Sequence, residues 1–101
     1  MARPIGMSPR RKTDTVERAM GTIVARHRVK NGFSQAVLAE KLRCDISYIS
    51  QLERGLINPS LRRILDLASA LGVEAGRLVQ EVDDTIRKSR SKRSNIDLTV
   101  I

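Results

Sequence analysis

Apolar residues recur with helical spacing along most of this chain, and short polar or glycine-containing breaks separate the runs. Val16, Met20, Ile23, Val24 and His27 fall on one stripe, preceded by Asp14-Thr15-Val16-Glu17, which reads as an N-cap with a glutamate three residues on. Asn31-Gly32 stops this first helix, because glycine accepts the left-handed conformation that follows a helix end. Ser34 caps a second helix, Gln35 to Leu42, with Leu38, Ala39 and Leu42 on its buried face. Asp45 caps a third, Ile46 to Arg54, which buries Ile49 and Leu52 and ends at Gly55. Asn58-Pro59-Ser60 is a turn and a cap, since the residue before proline avoids the helical region. A fourth helix, Leu61 to Leu71, points Leu61, Ile64, Leu65, Ala68 and Leu71 inward and closes at Gly72. A fifth starts near Ala75, buries Leu78 and Val82, and can continue through Ile86.

The two ends read differently. Pro4, Gly6 and Pro9 make the first stretch irregular. Lys88 to Ser94 is polar, basic and serine-rich, which reads as a linker. Ile96, Leu98 and Val100 alternate with Asp97 and Thr99, a period-2 pattern open to a short strand at residues 95–101, paired with a second copy or captured by a partner protein, or to a tail without structure. A lone strand needs a partner edge. The simplest one is the same segment of a second copy, giving a small intersubunit ribbon packed on the fifth helix. The division is therefore a basic arm at 1–13, a helical domain at 14–86, and a linker with a dimerisation strand at 87–101. The expected fold class is all-α, with five helices.

Charge narrows the partner. The 101 residues carry 19 Lys and Arg against 11 Asp and Glu, a net +8. Residues 1–14 contribute +3, 15–83 contribute +2 and 84–101 contribute +3, so basic ends flank a nearly balanced middle. Such a distribution fits a polyanion, either nucleic acid or an acidic membrane surface. Aromatic residues are 2% of the chain, which argues against readers that stack single-stranded bases. No apolar run approaches the roughly 18 residues of a membrane span, and Met1 to Thr13 has no apolar segment of a secretory leader. We therefore expect a soluble cytoplasmic protein, with no membrane partner. The single Cys44 and single His27 lie on inward faces. They supply neither a disulfide, a metal cage nor a nucleophile–base pair, so no enzyme activity, metal or cofactor is expected.

Two short helices joined by the three-residue turn Arg43-Cys44-Asp45 form a helix-turn-helix, and the small Ala39 lets them cross closely. The ordered set Arg28-Val29-Lys30-Asn31-Gly32-Phe33-Ser34-Gln35, Leu38-Ala39-Glu40-Lys41-Leu42, Tyr48-Ile49-Ser50-Gln51-Leu52-Glu53-Arg54-Gly55, Asn58-Pro59-Ser60-Leu61 and Leu67-Ala68-Ser69-Ala70-Leu71-Gly72-Val73 strongly resembles the phage repressor/Cro-like (XRE-type) regulators. The resemblance spans about residues 16–82. It implies a five-helix, usually dimeric domain that binds double-stranded DNA and regulates transcription. Two positions depart from the family pattern. Arg43 stands where glycine is common, at a left-handed position that costs a non-glycine residue about 1 kcal/mol. Asp45 replaces a Ser or Thr cap and adds a charge that repels phosphate.

The third helix would enter the major groove. Ser47, Tyr48 and Gln51 face away from Ile49 and Leu52, with Ile46 and Ser50 at the edge. Gln51 suits an adenine edge, Ser47 either base, Ile46 a thymine methyl, and Tyr48 a base or a phosphate. The free N–H groups at the start of the second helix, with the Gln35 amide, suit a phosphate. The resemblance implies backbone contacts from Gln35, Arg54 and Asn58. Arg43 can add another, and Arg62 and Arg63 can do the same or sit in water. It also implies an Arg28–Glu53 ion pair beneath the recognition helix. Leu78, Val79, Val82 and Ile86 exceed what one small core needs, and the resemblance places the two-fold contact around this helix. His27 reads as a satisfied core residue and Cys44 as a small buried hydrophobe. The function expected is a dimeric repressor, phage-type switch protein or restriction–modification controller on a pseudo-palindromic operator. An antitoxin that binds DNA and a toxin protein through the C-terminal segment is the alternative, and a protein-bridging coactivator the next.

Overall fold

The computed structural model describes residues 16–100, with side chains as far as Ser89. Five helices follow in order: α1 Arg18–Lys30, α2 Gln35–Leu42, α3 Ile46–Glu53, α4 Leu61–Leu71 and α5 Ala75–Val100. Among the described residues there is no strand. The expected Asp14 cap and the basic arm at 1–13 lie outside the described residues.

Local chemistry sets the boundaries. Ser34 Oγ accepts from the Val37 N–H at 3.1 Å, Asp45 Oδ1 from Ser47 N–H at 3.1 Å, and Ser60 Oγ from Arg63 N–H at 3.1 Å. Each cap satisfies a donor that the first helical turn leaves without an internal partner. Arg43 ends α2 in the left-handed region, φ 56 and ψ 48, as its position in the turn requires.

The core is shared by all five helices. Ile23, Val24, Leu38, Ile49, Leu52, Leu67 and Leu78 are the large side chains wholly removed from water. The backbones of α1 and α3 approach with little between them. A Cβ added at Gly21 would lie 2.4 Å from the Leu52 carbonyl oxygen and 2.7 Å from that of Glu53. At Gly55, φ +75, it would lie 3.0 Å from Arg18 Cα.

Three expectations change. Leu61 and Leu65 point outward, 69% and 52% exposed, while Leu67 takes an inward place on α4. Leu78 and Val82 are consumed by the core of their own chain and cannot also form a dimer surface. Ile86 packs partly against the same core, which leaves Val79 as the exposed member of the four. Finally, α5 runs unbroken to Val100, so residues 88–94 are no linker and residues 95–100 no strand. Nothing between Arg77 and Ile101 is glycine or proline. A helix satisfies its own backbone groups there, whereas a solitary strand has no edge to pair with. The intersubunit ribbon is accordingly withdrawn.

Candidate nucleic-acid interface

The helix expected to enter the groove is α3. Its inner face is anchored by Ile49 and Leu52, both with no exposed surface, and its N-terminus is fixed by the Asp45 cap. The opposite face presents Ile46, Ser47 and Gln51 to solvent. Ser50 and Tyr48 are half-buried on its flanks. Tyr48 is thus only partly on the outward face. Its ring packs against the core and the Arg63 guanidinium lies over it, 5.0 Å from the ring centroid.

A network holds the far end of α3. Arg28 Nε donates to Glu53 Oε2 at 2.6 Å and Arg28 Nη2 to Glu53 Oε1 at 3.0 Å, a two-pronged pair. Arg28 Nη1 also donates to the Phe33 carbonyl at 2.8 Å. The hydrogen bond to Glu53 raises the Arg28 pKa above its ordinary value, against the opposing effect of burial. Gln35 Nε2 joins the same carboxylate, donating to Glu53 Oε1 at 2.9 Å. The start of α2 is thereby tied to the end of α3 and to α1. Gln35 is half-buried and carries this structural bond in addition to the phosphate contact the sequence assigns it.

The other expected backbone-contacting residues are accessible. Arg43, Arg54, Asn58 and Arg62 are all exposed. Arg54 Nε folds back to the Ser50 carbonyl at 3.4 Å, a long bond that leaves its other donors free. Arg63, the neighbour of Arg62, behaves differently: its Nη1 donates to the Leu42 carbonyl at 3.1 Å. Gly21 is the residue sequence reasoning passed over, although it had a signal, since a glycine inside a helix lowers its stability and calls for a packing reason. Arg63 was expected with Arg62 at a phosphate or in water, and the structure instead turns it inward, because its partners lie on other helices.

His27 lies away from this face, and Cys44 lies in the α2–α3 turn. His27 Nε2 bonds Glu81 Oε1 at 2.8 Å, joining α1 to α5 as a satisfied, mostly buried histidine. Cys44 is half-buried, and burial pushes its thiol pKa up. Among the described residues no cluster of His, Cys, Asp or Glu could hold a metal ion. No described helix is long and apolar enough to cross a membrane.

The arrangement is that of a helix-turn-helix DNA-binding domain of the XRE type. Residues 24–78 match the helix-turn-helix family model, and the chain belongs to this family of DNA-binding transcriptional regulators. It is 34% identical over 70 residues to the uncharacterised HTH-type transcriptional regulator y4dJ of Sinorhizobium fredii, covering 69% of this chain and 91% of that one. The crystal structure of the restriction–modification controller protein C.AhdI from Aeromonas hydrophila superposes with a TM-score of 0.58 at 39% identity, covering 60% of this chain and 92% of that one. The clp gene regulator ClgR from Corynebacterium glutamicum shares the fold, with a TM-score of 0.72 over 82% of this chain and 88% of its own at 23% identity.

Proposed function

We propose that this chain is a sequence-specific repressor that works as a homodimer on a pseudo-palindromic operator, in the cytoplasm and by binding alone. The observation that carries the reading is the outward face of α3, where Ile46, Ser47 and Gln51 stand exposed, with the exposed Arg54 directly after its last residue. Charge at the flanks supplies affinity for any duplex, and the few groove-facing side chains supply discrimination. Repression requires only that the bound protein occupy a promoter.

A dimer is supported by an apolar surface that one chain leaves uncovered. Leu61, Leu65 and Val79 are 69%, 52% and 46% exposed. Leu61 and Val79 flank a shallow groove between α4 and α5, with Ile64 and Ala75 in its wall. A contiguous apolar patch of this kind marks an association surface. It replaces the one expected on Leu78 and Val82.

Selecting bound duplexes from a random library tests the reading directly. The expected product is one inverted repeat with half-site centres about one helical turn apart. Placed over a promoter, that duplex should lose transcription as protein is added. Recovery of unrelated sequences, or a rise in transcription, would contradict it.

A further inference from the structure

Tyr48 sits on the recognition helix, yet its ring is half-buried and roofed by a guanidinium. That guanidinium belongs to Arg63, in the first turn of α4. Its carbon stands 5.0 Å from the ring centroid, while its Nη1 donates to the carbonyl of Leu42, the last residue of α2, at 3.1 Å. Carbonyls at a helix C-terminus have no partner inside the helix, so this bond satisfies one that α2 leaves over. A single side chain therefore joins the end of α2, the aromatic ring of α3 and the start of α4. Arg62, next to it, is exposed, whereas Arg63 is half-buried. Arg63 is engaged inside the protein and not held out toward a phosphate.

We propose that Arg63 is a positioning residue for sequence reading: it clamps the Tyr48 ring against the α2–α3 turn, so that α3 meets DNA with one fixed arrangement of this side chain. The assignment rests on the reading of α3 as the DNA-recognition helix. An unclamped phenol would sample several rotamers and be ordered only on binding, at a cost in affinity for the matched site. The planar guanidinium can stack on a ring and donate in its own plane at once. A lysine ammonium cannot do both with one geometry.

Burial pushes the Tyr48 hydroxyl pKa up, and the Arg63 charge pulls against that rise. Tyr48 is the only tyrosine and the chain has no tryptophan, so ultraviolet titration of the phenol reports on this one site.

The test uses the full chain, the duplex it selects and a scrambled duplex of equal length. Arg63→Lys should lower the selected-to-scrambled affinity ratio about tenfold. In a Tyr48→Leu background, itself reduced in discrimination, Arg63→Lys should cause no further loss. Arg63→Met should leave the scrambled-duplex affinity and the salt slope as in the parent, and should raise the phenol pKa further. Additive losses in the double variant would show that Arg63 does not act through Tyr48 and overturn the proposal. A fall in affinity for both duplexes alike, with the salt slope of Arg63→Met reduced by about one, would make Arg63 a phosphate contact and overturn it too. If the methionine variant fails to fold, the lysine variant and its cycle decide alone. A parent protein that prefers no sequence defeats the DNA-reading assignment itself, an outcome distinct from a discriminating parent whose Arg63 variants are unchanged.

Discussion

Glu53 accepts three hydrogen bonds, two from Arg28 and one from Gln35, with its side chain 7% exposed. A carboxylate so far from water is stable only while those donors remain. The exposed residues proposed to read bases, Ile46, Ser47 and Gln51, have the opposite character, being replaceable without cost to the fold. Gln51→Ala should therefore leave stability unchanged, lower affinity for the selected duplex by about 1–3 kcal/mol and relax preference at one position. Arg54→Ala should weaken binding to all duplexes alike and reduce the salt slope by about one, as filter-binding titrations at several salt concentrations would show. If Gln51→Ala lost affinity equally on every duplex, its assignment as a base reader would be wrong. Arg43 offers a test of backbone strain. At φ 56 it holds a conformation glycine adopts freely, so Arg43→Gly should stabilise the fold by about 1 kcal/mol in urea denaturation while removing one exposed positive charge.

Helix spacing was legible, but which stripe of a helix faces inward was not always so. In α4 the sets 61, 64, 65, 68 and 64, 67, 68, 71 both satisfy the i, i+3, i+4, i+7 rule, and both are largely apolar. The approach of α2 and α5 selects the second, leaving Leu61 and Leu65 outside. Gly21 shows the same dependence on a neighbour. Alanine in place of a helical glycine ordinarily stabilises by up to about 1 kcal/mol. Gly76, with nothing within 4 Å of its added Cβ, should behave that way. Gly21→Ala should instead destabilise by about 3 kcal/mol, because its Cβ meets the Leu52 and Glu53 carbonyls that end the recognition helix. Equal stabilisation by both alanines in thermal unfolding would disprove the close α1–α3 contact. Between α1 and α5, the hydrogen bond from His27, aided by the charges of His27 and Arg77, holds the Glu81 carboxyl below its ordinary value of about 4.5, against burial. A depressed folded-state pKa stabilises above the ordinary glutamate range and loses that contribution as pH falls through the folded value. The stability gap between the parent and Glu81→Gln should thus be open at neutral pH and close in acid. A gap independent of pH would mean the pair contributes through packing alone.

For the molecule as a whole, two recognition helices must lie about 34 Å apart to read half-sites on one face of a duplex. The uncovered patch of Leu61, Leu65 and Val79 is where a second copy would seat. Sedimentation at micromolar concentration should show a dimer of the 11.3 kDa chain. Leu61→Glu should yield a folded monomer, because a glutamate at a 69% exposed position costs the monomer little but is costly to bury in an interface. That monomer should bind a single half-site with the parent's sequence preference and lose the extra affinity of the paired site. A parent that remains monomeric with and without DNA would remove the dimer from the proposal.

The chain's own pattern determined the five helices, the caps at Ser34, Asp45 and Ser60 and the helix-turn-helix, because these depend on residues three or four apart and on single side chains bonding nearby N–H groups. It also marked Ser47 and Gln51 as the open face of α3, since Ile49 and Leu52 had to be its inner one, but it set Tyr48 with them and Ile46 at the edge, and the packing of α4 exchanges those two. The resemblance to the family, carried by Arg28 and Glu53 at their places in the motif, anticipated the ion pair between them. Gln35's share in that pair, the Arg63 clamp on Tyr48, the close packing at Gly21 and the outward turn of Leu61 and Leu65 were decided only by the tertiary structure. Each depends on which helix crosses which, and at what distance. The far end of α5 falls between the two cases. The alternation of Ile96, Leu98 and Val100 favoured a strand locally, but a helix already propagating from Ala75 satisfies each added backbone group at once, and no described strand was present to offer the alternative an edge.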